Sequence, residues 1–281
     1  MIIDMRCRPP FGSFLDDGVM FDPDVLNICG ETYDTYAPQA ALNRSIEQFI
    51  QEMDQAGVDK AVAPVRVTRN GDNAIVAELL KQYPERILGM LGINGLDDTQ
   101  YSLDLIDQYV INGDFTGINI EPGFTPTPFA ENALTCDDHL YYPIYEKCQS
   151  DGITVLLSFG GLCHGSLSNF KPEALDKMLA DFPKLRVIIA HGGYPWIPQV
   201  FWIAQTRNNL WISPDIYIIA GGGSMYIEAA RYFLKGKILF GSAYPACNLE
   251  QAINFYKAFN MDKDTYDQVM GEAAAIALGL C

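Results

Sequence analysis

The sequence lacks paired cysteines. Its seven thiols, Cys7, Cys29, Cys136, Cys148, Cys163, Cys247 and Cys281, are scattered, odd in number and without CxxC spacing. That argues against a disulfide framework and against a cysteine-built zinc site, and it points to reduced thiols in a cytoplasm. Positive charge is also short: 19 Lys and Arg face 35 Asp and Glu, a formal net charge of −16. Nucleic acid is therefore an unsuitable partner, because neutralising phosphates needs a basic face. An anionic membrane surface is disfavoured for the same reason. No stretch reaches the roughly 18 apolar residues of a membrane span. No basic region followed by an apolar run opens the chain, so a cytoplasmic location without a signal peptide is expected. No GxGxxG follows the first apolar run, which weighs against a dinucleotide fold.

Apolar material is plentiful. Hydrophobic residues make up 49% of 281 residues, and charged ones 19%. That suffices for a sizeable core. Strand-like and helix-like stretches alternate to the end. Apolar runs at 1–5, 58–65, 87–93, 116–120, 153–158, 186–190, 210–213 and 237–241 read as strands. Amphipathic stretches at 45–56, 73–83, 100–111, 139–150, 172–181, 197–206 and 224–234 read as helices, with Gly57 placed as a C-cap. Short continuous apolar runs suit strands buried on both faces of a parallel sheet. About eight such units predict an α/β fold, a distorted (β/α)8 TIM barrel spanning residues 1–281 as one domain. Residues 11–42 and 122–138 are read as long loops. The first, with Phe14, Phe21, Tyr33 and Tyr36, is the candidate lid or subunit contact.

In such a barrel the chemistry lies at the C-terminal ends of the strands. In order these ends carry Asp4, Arg6 and Arg8; Arg66 and Arg69; Asn94; Asn119 and Glu121; Ser158, with His164 beyond it; His191; Asp215; and Ser242, Ala243 and Tyr244. Glu121, His191 and Asp215 form a titratable triplet suited to proton transfer. Arg6, Arg8 and Arg66 supply planar guanidiniums that match a carboxylate. Ser158, Tyr194 and Tyr244 are further candidates for binding substrate. Asp4 reads as a structural group orienting an arginine. His139, at a helix start, reads as a surface residue.

Three blocks, "HLYYPIYEKCQSDGITVLL", "LADFPKLRVIIAHGGYPWIPQV" and "KILFGSAYP", resemble successive signatures of the amidohydrolase-related family, in its aminocarboxymuconate-semialdehyde decarboxylase-like branch. "MIIDMRCRPP" stands where that family has Ile-Asp-x-His-x-His. The resemblance implies a barrel whose site binds zinc or a similar ion through two histidines on strand 1, histidines ending strands 5 and 6, and an aspartate ending strand 8. Here those positions carry Arg6, Arg8, Ser158, His191 and Ala243. Arginine stays protonated and has no lone pair for a metal. The expected metal complement is therefore none, with a zinc or other divalent site rebuilt around His191, Glu121 and His164 as the alternative.

These readings converge on a hydrolase of a small, carboxylated organic acid, cleaving an ester, lactone or amide bond without a metal. Arg6 and Arg8 would hold the anion, and His191 would serve as general acid/base. Two alternatives stay open: a non-oxidative decarboxylase or lyase of the same family, and a catalytically inactive anion-binding barrel. The resemblance also implies a homo-oligomer.

Overall fold

The structure, a computed structural model, describes residues 1–16, 20–32, 34–125, 133–161 and 167–280. Seven strands run parallel in the order of the chain: β1 (Ile3–Asp4), β2 (Lys60–Pro64), β3 (Ile87–Ile93), β4 (Phe115–Ile120), β5 (Thr154–Ser158), β6 (Val187–Ala190) and β7 (Leu210–Ile212). Each strand neighbours the next, the arrangement that successive right-handed β-helix-β crossovers build. The eighth stave is irregular. Ile212 donates its amide to the Lys237 carbonyl (2.8 Å), Leu239 donates to Ile212 (2.8 Å) and Met5 donates to Phe240 (3.0 Å). Residues 237–240 thus bond to β7 on one side and to β1 on the other, and the sheet closes. The run expected at 237–241 does this work through isolated bridges rather than as a regular strand.

The helices are α1 (Pro23–Thr32), α2 (Gln39–Leu42), α3 (Ile46–Ala56), α4 (Asn73–Gln82), α5 (Thr99–Ile106), α6 (Tyr142–Asp151), α7 (Pro172–Asp181), α8 (Ile197–Thr206), α9 (Ser224–Arg231), α10 (Leu249–Lys257), α11 (Lys263–Asp267) and α12 (Ala273–Leu278). Their ends follow local rules. The Ser45 hydroxyl accepts from Gln48 N at the start of α3, and Gly57 takes the left-handed turn that ends it (φ 74°).

Two apolar layers result. Ile3, Met5, Val62, Leu88, Leu156 and Ile188 fill the barrel interior, and the small side chains of α12 plug its N-terminal end. A larger layer lies between the sheet and the surrounding helices. The segment 11–42 departs from its reading as an open loop. It holds α1 and α2, and Phe14 and Phe21 are buried in the outer layer at 4% and 3% exposure. Those two rings are core rather than lid; Tyr36 is exposed, and Tyr33 lies outside the described residues. Among the described residues no helix is long and apolar enough to cross a membrane.

Candidate active site

The mouth of the barrel begins with an irregularity in β1. Side chains alternate in direction along a regular strand. Met5 N bonds to the eighth stave, whereas Cys7 N bonds to Val62 of β2 (2.9 Å). Amides two residues apart should face the same neighbour, so the alternation slips between them, as at a bulge. Ile3 and Met5 point into the interior core, yet beyond the slip it is Arg6 that reaches inward, its Nη2 lying 3.4 Å from His191 Nε2. Asp4 holds the slip in place. Its Oδ1 accepts the Arg6 amide (3.0 Å) and the Ser242 amide (2.9 Å), tying β1 to the eighth stave. Burial pushes the Asp4 carboxyl up to about 6, against the pull of its hydrogen bonds.

His191 follows β6 with φ 63° and is succeeded by Gly192 (φ 63°) and Gly193 (φ 72°). The glycine after His191 is obligatory on two counts: its φ disfavours a side chain, and a Cβ there would stand 2.4 Å from the Tyr226 hydroxyl. The ring is oriented by Nδ1, 3.2 Å from the Gly160 carbonyl. A carbonyl only accepts, so neutral His191 carries its proton on Nδ1 and presents the Nε2 lone pair toward Arg6. Tyr217 packs edge-on against the imidazole, 5.8 Å between ring centres, and stacks on Tyr194 at 5.3 Å.

Asp215 acts on the backbone of His191. Its Oδ2 accepts the His191 amide (2.9 Å) and its Oδ1 accepts the Ser213 hydroxyl (2.6 Å). Burial raises its carboxyl, and the Arg6 charge offsets only part of that. It fixes the strand-end turn in which His191 sits.

Glu121 ends β4 and faces Arg66 from β2. Oε1 accepts from Arg66 Nε at 2.6 Å and from the Ser158 hydroxyl at 3.4 Å; Oε2 accepts from Thr68 at 2.6 Å. Burial acts to raise this carboxyl, but Arg66, Thr68 and Arg6 outweigh it and hold it below the ordinary range. Arg66 also lies over the Phe124 ring, 4.9 Å from its centre. So occupied, the carboxylate clamps Arg66.

The structure thus brings together Arg6, Arg66, Glu121, Ser158, His191 and Asp215, all from strand ends. Arg8 is buried on the same rim and its charge reaches Asp215. Tyr194 contributes through the Tyr217 stack. Tyr244 is placed elsewhere: its hydroxyl donates to Glu52 on α3 (2.9 Å) and its ring packs on Phe49, in the layer outside the barrel. Ala243, just before it, has φ 61° and turns the chain. Asn119 serves the scaffold by donating to the Val65 carbonyl (2.8 Å). His139 stands at the surface, and His164 lies outside the described residues. Thr68, Phe124 and Tyr217 were not singled out from sequence. Thr68 and Tyr217 each stand two residues beyond a group that was, Arg66 and Asp215, and that spacing was the available signal.

A family model described as amidohydrolase matches residues 35–280. The chain belongs to the amidohydrolase family. Among solved structures, this amidohydrolase is similar to an uncharacterized TIM-barrel protein from Bordetella bronchiseptica, at 30% identity and a TM-score of 0.90, covering 99% of this chain and 98% of that one. It shares its fold with a 2,6-dihydroxybenzoate decarboxylase from Rhizobium (16% identity, TM-score 0.69, 99% and 98% covered). A curated relative, the 2-keto-4-carboxy-3-hexenedioate hydratase of Sphingobium sp., is 28% identical over 142 residues. That match spans 44% of this chain and 41% of the relative. Among the described residues no group of three or more His, Cys, Asp or Glu side chains is arranged to hold a metal ion.

Proposed function

We propose that this amidohydrolase hydrolyses an ester, lactone or amide bond in a small carboxylated organic acid, without its family's usual metal. The observation that carries this reading is the contact of Arg6 with His191, 3.4 Å from Nη2 to Nε2, at a buried strand-end cluster. A guanidinium there can hold a carboxylate or stabilise a developing oxyanion. The Nε2 lone pair beside it can take a proton from an attacking water and return it to the leaving group. Arg8 and Arg66 supply further positive charge, Glu121 holds Arg66 and accepts the Ser158 hydroxyl, and Asp215 holds the His191 turn. The family's ligand set does not fit the residues present. Arg6 and Arg8 offer no lone pair, and Ala243 offers no donor atom, which leaves Ser158 and His191 at those positions. No step is therefore assigned to a metal.

The test is turnover of carboxylated lactones and esters by chelator-treated enzyme, beside Arg6→Met. Metal-free hydrolysis that falls by about 100-fold or more in the variant is expected, the usual size of losing one oxyanion donor. Activity lost on chelation and restored by zinc would overturn the metal-free reading. The hydratase relative favours a second reading, a lyase in which the same base adds water to a carbon–carbon double bond. Product analysis separates the two, since hydrolysis opens the ester, lactone or amide bond and frees a carboxyl group, whereas hydration leaves such bonds intact and consumes the carbon–carbon double bond. A decarboxylase would release carbon dioxide, and carboxylate binding with no turnover would leave an anion-binding barrel. The acidic chain, expected in the cytoplasm as a homo-oligomer, takes neither nucleic acid nor membrane as partner under this proposal.

A further inference from the structure

Outside the barrel mouth, a groove of about 420 Å³ runs between α2, α3 and α10. That is within the range of small-molecule sites, about 300–1,000 Å³. Its walls are unusual in composition. Four glutamines and two asparagines line it, Gln51, Gln55 and Asn248 among them, with Glu52, Glu250 and Tyr36. No Lys, Arg or His side chain is part of that lining.

Glu52 is the organising group. Its Oε1 accepts the Ala40 amide of α2 (2.9 Å) and its Oε2 accepts the Tyr244 hydroxyl (2.9 Å). These two donors fix the carboxylate from two separate elements, so it does not swing as a surface glutamate would. It makes no ion pair among the described residues. Burial raises its carboxyl, the response of a negative charge lacking a cation. Tyr36 stands at the rim, 60% exposed, offering an aromatic face of the kind that attracts ammonium groups.

We propose that this groove binds a small organic cation, with an ammonium seated on Glu52 and flanked by the glutamine and asparagine carbonyls. An anion is excluded by two carboxylates with no cation beside them. A neutral polyol would satisfy the amides but leave the Glu52 charge uncompensated, so the cation is the better occupant. The proposal is independent of the reaction at the barrel mouth, because none of the groove's lining residues belongs to that cluster.

The experiment is calorimetric titration of the full chain with 1,4-diaminobutane at constant ionic strength, with glucose as the neutral comparison. One saturable site for the diamine is expected. Gln51→Lys, on the exposed face of α3, should weaken it at least tenfold, and Glu52→Gln should do the same. Because Gln51 is exposed, the first variant keeps the test valid should the second misfold. Glu85→Gln, at a fully separate and exposed carboxylate, should leave binding unchanged. Absence of saturation would overturn the proposal. So would equal weakening by Glu85→Gln, which would mean simple attraction to an acidic protein. Saturation by glucose instead of the diamine would overturn it too, by showing that the groove takes polyols.

Discussion

At the N-terminal end of the barrel, inward-facing Ile3, Met5, Val62, Leu88, Leu156 and Ile188 meet the alanines of α12. At the other end β1, β2, β4, β5 and β6 lead into Arg6, Arg66, Glu121, Ser158 and His191, just as deeply removed from water apart from the half-buried histidine. The first region is held by apolar contact, which is non-directional and tolerant of small shifts. The second is held by charges that must be matched one by one, because an unpaired buried charge is far more costly than a poorly packed methyl group. The comparison teaches that the mouth is a set of mutual clamps whose order depends on each partner being present: Glu121 on Arg66, Asp4 on the Arg6 and Ser242 amides, Asp215 on the His191 turn.

The largest effect should come from breaking one clamp. Glu121→Ala removes the buried carboxylate that accepts from Arg66, Thr68 and Ser158 and should cost about 3–5 kcal/mol in denaturant unfolding. Deleting bulk at the other end is the matched control. Leu156→Ala should cost about 3–4 kcal/mol through a cavity, yet leave carboxylate binding at the mouth unchanged. If the two variants lost ligand affinity equally, the two ends would not be separable. A third effect is read against pH. Asp4 titrates near 6 when folded and near 3.8 as an ordinary carboxyl. The folded chain therefore binds its proton more tightly, so this contribution is present below pH about 4 and is lost as pH rises through about 6. Stability of Asp4→Asn relative to the parent should climb by at most about 3 kcal/mol between pH 4 and 7, measured by urea unfolding at each pH. A flat difference would mean that Asp4 is ionised throughout. The smallest effect concerns the strand-end turn. Ala243 holds φ 61° with no side-chain bond to compensate, so Ala243→Gly should stabilise the fold by about 1 kcal/mol in thermal unfolding. A loss of stability would show that the methyl group packs productively.

Much of this arrangement is legible in the sequence. The apolar runs place all eight staves within a few residues, the eighth as isolated bridges rather than a regular strand, and the family signatures place Arg6, Arg8, Ser158, His191 and Ala243 at strand ends. Direction is harder to read. Tyr244 reads as a member of the site because it follows a strand, but the turn at Ala243 sends its hydroxyl outward to Glu52. Glu121 reads as a proton carrier because it is a carboxylate at a strand end. Its partner Arg66 is 55 residues away, and only folding brings the two within 2.6 Å. The helices inside 11–42 are hidden by glycine, proline and aromatic residues, whose local signals favour irregular chain.

By itself the sequence determined the barrel, the acidic surface and the replacement of histidines by arginines at the end of β1, since each follows from composition, periodicity or residue identity. Tertiary structure alone decided which charges meet. The slip between Met5 and Cys7 turns Arg6 inward, and closure of the sheet sets His191 beside it. Those are long-range events, governed by register and desolvation across separate strands, and no local pattern encodes them.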